Sequence, residues 1–307
     1  MATGTPTTES QALGDLAARQ LANAKTTVPQ LETITPRWLL HVLDWVPVES
    51  GIYRVNRVVE PEKVAVKVQE NDEPLPQTFV DYQTHPREFT LRAVSTILDI
   101  HTRVSDLYSR PHDQTTQQLR LTIETIKEHQ ESQLINSPEY GLLSQVSAAQ
   151  TISTLSGPPT PDDLDGLIAK VWKSPGFFLT HPLGVAAFGR EATLRGVPPQ
   201  TVSLFGSQFL TWRGIPIIPS DKVPLTDGAT KFLLIRTGED RQGVVGLFRP
   251  GLVGEHAPGL SVRFAGINRL AIAQYLVVLY SSLAVLVDDA LAVLDDVRVD
   301  IFHDYSK

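Results

Sequence analysis

Asp113–Asn136, DQTTQQLRLTIETIKEHQESQLIN, runs without glycine or proline between the break at Pro111-His112 and the stop at Ser137-Pro138. That spacing predicts one long helix, with Asp113 placed to cap its N-terminus. Leu119, Ile123, Ile126 and Leu134 form only a narrow apolar stripe, and Arg120 with Glu124 and Glu124 with Lys127 stand at pairing distance on its surface. The expectation is a long, largely exposed strut across one face of a domain, and the rest of that domain must come from the flanking segments.

Upstream, the pattern after Gly51 is alternating, first in Ile52–Val58 and again in Val64–Val68, followed by the polar, proline-containing stretch Gln69–Pro76. Both runs read as strands, so residues 51–92 predict an extended two-stranded ribbon with little core of its own. An isolated hairpin is marginal in water, and this one must lie on something. Pro36–Leu43 reads as a short helix with proline at its first turn. Residues 1–35 form an arm, in which Leu13, Leu16, Ala17 and Leu21 recur at helical spacing until Thr26-Thr27-Val28-Pro29 breaks the pattern. So short an amphipathic helix cannot bury its stripe alone, and it needs a surface on its own chain or on another subunit.

Downstream, the join Gly157-Pro158-Pro159-Thr160-Pro161 opens a more compact region. Helices are expected at 161–173 and 181–195, and strands at 201–205, 208–212, 215–218, 231–236, 243–248 and 261–264, with an irregular glycine-rich stretch at 250–260. Leu270–Val287 is a nearly unbroken apolar run, but it contains Gln274, Ser281 and Ser282 and ends on Asp288-Asp289 with no basic flank. A buried helix packed on a sheet is the expectation, in preference to a membrane span. Ala292–Val299 is the last expected strand, which makes the class α+β.

Composition removes several functions. The chain has 307 residues, 42% hydrophobic and 20% charged, and carries a formal charge of -7, which repels a phosphate backbone. It has no cysteine, so thiolate metal sites and cysteine nucleophiles are absent together. Met1–Ser10 lacks the basic and apolar regions of a secretory signal, and a cytoplasmic location is expected. The eight histidines are scattered, without a paired metal-ligand motif. Glu128, His129 and Glu131 come nearest to a metal face, and read as a solvated face of the long helix. Asp288-Asp289 and Asp295-Asp296 admit a divalent cation but read more simply as acidic caps. No nucleophile elbow, phosphate loop or dinucleotide glycine pattern occurs. No catalytic, cofactor or metal residue is therefore assigned; the other readings in play are a cytosolic α/β enzyme with an unrecognised site and a membrane-associated protein.

The order arm, ribbon, long helix, α/β region and final strand resembles the tailed-phage major capsid fold of the Hong Kong 97 type. So do the helix ending Glu131–Asn136 and the strand and turn Gly214-Ile215-Pro216-Ile217-Ile218-Pro219-Ser220-Asp221. Thr33–Leu40, Gly51–Asn56, Gln118–Ile126 and Thr211–Pro216 are similar to family 2A encapsulins, the group once called major membrane protein I, along essentially the whole chain. This resemblance implies a phage major-capsid-like shell protein with an N-terminal arm at 1–35 and a P-domain at 36–159. The P-domain would hold the E-loop at 51–92 and the spine helix at 113–136. An A-domain would span 160–290, and 291–307 would be a return strand to the P-domain and tail. It further implies self-assembly into an icosahedral nanocompartment of about sixty copies, with a cysteine desulfurase as cargo in sulfur metabolism or storage. Arg195, Gly196, Val197, Pro198, Pro199 and Gln200 are expected to line the five-fold opening, two prolines stiffening the constriction.

Overall fold

The computed structural model describes residues 34–59, 65–68, 74–100, 114–269 and 272–303. Along the chain lie α1 (Trp38–Val42), β1 (Asp44–Pro47), β2 (Ile52–Val55), β3 (Val58–Val59), β4 (Asp81–Tyr82), β5 (Arg87–Thr90) and β6 (Arg92–Ile100), then α2 (Gln114–Asn136), α3 (Leu142–Gln145) and β7 (Thr151–Ser153). They are followed by α4 (Pro161–Lys170), β8 (Phe177–Thr180), α5 (Pro182–Leu194), β9 (Gln200–Leu204), β10 (Ser207–Trp212), β11 (Ile215–Pro219), β12 (Ala229–Ile235), β13 (Val244–Phe248), β14 (Glu255–Ala257), β15 (Leu260–Ile267), β16 (Ala273–Val285) and β17 (Leu291–Arg298). The arm helix expected at 11–24 lies outside the described residues.

Two large sheets carry the fold. In the first, β1, β13, β16, β15 and β14 lie in that order and β6 pairs with β16; in the second the order is β7-β17-β12-β8-β11-β10-β9. The second sheet is buried on both faces, and the period-2 alternation of β12 shows how. Leu233 and Ile235 point into a core shared with β13, β16, α1 and the C-terminal end of α2. Phe232 and Leu234 point the other way, into a core under α4 and α5. α4 starts on a capping box, in which Thr160 Oγ1 accepts from Asp163 N and Asp163 Oδ2 accepts from Thr160 N. Two backbone donors are thereby satisfied at a buried helix start, worth about 1 kcal/mol.

The apolar run read as a helix is instead the strand β16. Val277 and Leu279 pack under α2, Leu283 and Val285 enter the shared core, and Ala284 and Leu286 face β1 and the ribbon. A strand buried on both faces shows no alternation, so hydropathy alone does not separate it from a buried helix. The β-branched and aromatic content of the run is what suits it to a pleated sheet.

Two further expectations give way. Ala65–Val68 is in no strand and is fully exposed; the pairing partner of β2 is β5, with Ile52 opposite Thr90 and Val55 opposite Arg87. α2 is not largely exposed, because its second half sinks between the sheets, burying Gln130, Glu131, Leu134 and Ile135. The two sheets draw their strands from distant parts of the chain. β13 to β16 belong to the sheet of β1 and β6, whereas β17 pairs with β12 and β7 in the second sheet. Sequence order hides this, since the chain leaves the second sheet after β12 and re-enters it at β17.

Candidate functional site

The conspicuous features of the described surface are surfaces for contact. The ribbon is the largest. Beyond the β2–β5 pair it carries Val66, Val68, Leu75 and Phe79, at 88, 80, 63 and 85% exposure, and Tyr82 at 60%. Apolar side chains concentrated on one narrow projection mark a surface made to be covered. The ribbon is held at its root. Tyr53 donates to Glu239 at 2.6 Å, Arg57 pairs with Asp288 at 3.2 Å, and Arg54 pairs with Glu88 at 2.7 Å. Burial, then the Glu239 contact, pushes the Tyr53 hydroxyl well above its ordinary value.

A second feature ties the start of the described chain to α2. Glu128 accepts from Thr35 N at 2.7 Å, from Arg37 at 2.9 Å and from Lys222 at 2.8 Å, while Arg37 also reaches Glu124 at 2.6 Å. One turn on, Glu131 is buried and accepts from Leu39 N at 3.0 Å. The two carboxyls differ in charge preference. Burial opposes ionisation of Glu128, but the hydrogen bonds from Lys222 and Thr35 outweigh it and hold its carboxyl below the usual range. For Glu131 burial dominates and raises the carboxyl to about 7. These residues were read as a solvated face. They form a latch between the arm root and α2, and His129 alone of the three is exposed. The signal available in the sequence was the pair of glutamates at i and i+3 beside Leu134-Ile135, too many carboxylates for so apolar a helix end.

The loop Arg195–Gln200 is an exposed tip between α5 and β9, with Gly196 at φ 74° and Pro199 half-buried. It is anchored from below, where buried Glu191 takes Arg195 and His303 together. The hairpin that follows turns on Phe205 and Gly206, both at positive φ, as a two-residue turn of the primed type requires. Phenylalanine is unfavourable there, and its ring is stacked on Trp38 at 6.2 Å, close to His41.

The acidic pairs are engaged by side chains. Asp289 takes Arg236 and Lys173, both at 2.6 Å, and Asp295 takes Lys231. Among the described residues no group of three histidine, aspartate or glutamate side chains could hold a metal ion, and no helix is long and apolar enough to cross a membrane.

The family model for SrpI-like type 2A encapsulin shell proteins matches residues 53–301. This chain belongs to that family. A type 2A encapsulin shell protein from Mycolicibacterium paratuberculosis is 77% identical over 301 residues, covering 97% of this chain and 98% of the relative. The type 2A encapsulin shell protein SrpI of Synechococcus elongatus is 66% identical over 295 residues, 96% of each. In solved structures, the holo-SrpI encapsulin complex from the same cyanobacterium superposes with a TM-score of 0.86 at 63% identity, over 97% of this chain and 100% of that one. The capsid of an empty GTA particle, at 12% identity, superposes with a TM-score of 0.61 over 88% of this chain and 98% of the other, which carries the fold alone. The encapsulin chain therefore has the α+β fold of Hong Kong 97-type capsids, and is a structural shell protein and not an enzyme.

Proposed function

We propose that this encapsulin chain closes with copies of itself into an icosahedral cytoplasmic nanocompartment of about sixty subunits, enclosing a cysteine desulfurase in sulfur metabolism or storage. The observation that carries self-assembly is the ribbon. Its apolar side chains, Val66 at 88% and Phe79 at 85% exposure, have no cover in the single subunit, so folding alone leaves them in water. Heterologous contacts of that kind, when they close, give rings and shells. In this reading residues 36–159, with α2 as spine, are the P-domain, the ribbon at 51–92 is the E-loop lying on a neighbour, 160–290 is the A-domain, and 291–307 is the return strand to the P-domain and tail. Arg195–Gln200 is then the tip at the five-fold opening, and residues 1–35 add contacts between subunits.

The guest supplies the chemistry. A shell chain with no cysteine has no thiol to carry a persulfide, so sulfur transfer from cysteine falls to the enclosed protein. Co-expression with a cysteine desulfurase is expected to yield particles containing both proteins that release sulfur from cysteine, while cargo-free shells release none. Turnover by rigorously cargo-free shells overturns the division of labour, and a desulfurase that never co-purifies overturns the assignment of the guest.

A further inference from the structure

Two incomplete pieces of β-structure stand out among the described residues. The first is an edge. β6 runs for nine residues and hydrogen-bonds β16 along its whole length, from Ala273 opposite Ile100 to Ser281 opposite Arg92, and no other described strand pairs with it. Its middle, Ala93–Leu98, contains no charge, proline or glycine, and Ile97 is 62% exposed. Monomeric proteins blunt such edges with lysine, proline, bulges or a covering element, because a long uncharged edge is a template for another strand.

The second piece is a strand sequence without a strand. Val64-Ala65-Val66-Lys67-Val68 alternates β-branched residues with smaller or polar ones, the pattern of a half-buried strand. In the single subunit Ala65–Val68 has no strand conformation, and Val66 and Val68 stand at 88 and 80% exposure. Such a sequence forms a strand when an edge is offered, since pairing depends on a partner more than on local preference.

We propose that the two complete each other between copies: residues 65–68 of one subunit add as a strand to the free edge of β6 in a neighbouring subunit. The inference rests on the reading of the ribbon as an intersubunit element and names its receptor. Added strands of this kind take affinity from main-chain hydrogen bonds and specificity from alternate side chains. Along β6, Val94 packs under α2, so by period 2 Ser95, Ile97 and Asp99 stand on the opposite face. Val66 and Val68 share one face of their own segment, and placing them beside Ile97 covers the exposed apolar groups of both pieces at once.

The cysteine-free chain makes the test direct. Val66→Cys is combined in turn with Ser95→Cys, Ile97→Cys and Asp99→Cys, shells are oxidised and run without reductant, and Val66→Cys with Ser203→Cys on the edge strand of the other sheet is the control. At least one of the three pairs is expected to give covalent multimers, and the control none. A link within one chain, or multimers from Ile97→Cys alone, overturns the proposal, as do intact shells with no link from any pair. Should the double variants fail to assemble, hydrogen exchange on unsubstituted shells decides. The outward amides of β6 and those of 65–68 are expected to exchange at least about 10-fold more slowly in shells than in dissociated subunits, and equal rates overturn the pairing. If the unsubstituted chain forms no particles at all, the shell reading itself has failed.

Discussion

The latch residue Glu131 gives a prediction whose sign and size follow from its surroundings. Glu131 is 1% exposed, and its carboxyl accepts a hydrogen bond from Leu39 N at 3.0 Å. Burial first, opposed by the Leu39 bond and by Lys222, moves it from 4.5 to about 7. A group whose pKa is higher in the folded state binds more protons folded than unfolded. Its stabilisation is therefore complete below about pH 4.5 and is lost as pH rises through 7. The shift is worth roughly 3 kcal/mol once the carboxyl is ionised in both states. Glu131→Gln keeps the shape and an oxygen for Leu39 N while removing the charge. The variant is expected to match the parent at pH 4 and to exceed it by roughly 3 kcal/mol at pH 8.5, seen as a rise of roughly 5 °C in Tm in paired scans at one heating rate. A variant less stable than the parent at pH 8.5, or a difference that does not change with pH, refutes burial as the dominant influence on this carboxyl.

Glu128 responds in the opposite direction. Its lowered pKa places its stabilisation above the ordinary carboxylate range, to be lost on acidification; Glu128→Gln, which leaves Lys222 and Arg37 short of a charge partner, is expected to cost about 2–3 kcal/mol in neutral urea melts and much less at pH 3. Gly246 lies under the Trp45 ring, and a Cβ there would stand 2.6 Å from it, so Gly246→Ala is expected to lower stability by about 1–3 kcal/mol in the same melts. Phe79→Ser removes a ring already 85% exposed in the subunit, so subunit stability is expected to change by less than about 0.5 kcal/mol while particle yield in electron micrographs falls. Unchanged yield would show that Phe79 is not covered on assembly.

Much of this architecture was legible in the sequence where local rules act alone. The stop at Ser137-Pro138 ends α2, the join Gly157-Pro158-Pro159-Thr160-Pro161 marks the start of α4, and the alternation in Ile52–Val55 marks β2. The failures occur where partners are distant. β16 was misread because burial on both faces erases its period, and β6 was missed although Arg92–Ile100 is rich in β-branched residues, since its only described partner lies some 180 residues downstream. Glu128 and Glu131 were placed on a solvated face because a helix sequence alone does not reveal that Lys222 and residues 35–39 pack over it. The strand read at Val64–Val68 is a different case. Its pattern is that of a strand, and its described residues, Ala65–Val68, are in no strand.

The central claim, that these surfaces exist to close a shell, is tested most directly by the mass of the purified, cargo-free chain at neutral pH and moderate salt. At 33.8 kDa per chain, about sixty copies give a closed particle of about 2 MDa. Light scattering with electron microscopy is expected to find hollow icosahedral particles of that mass. Monomers to tetramers as the only species would contradict the account.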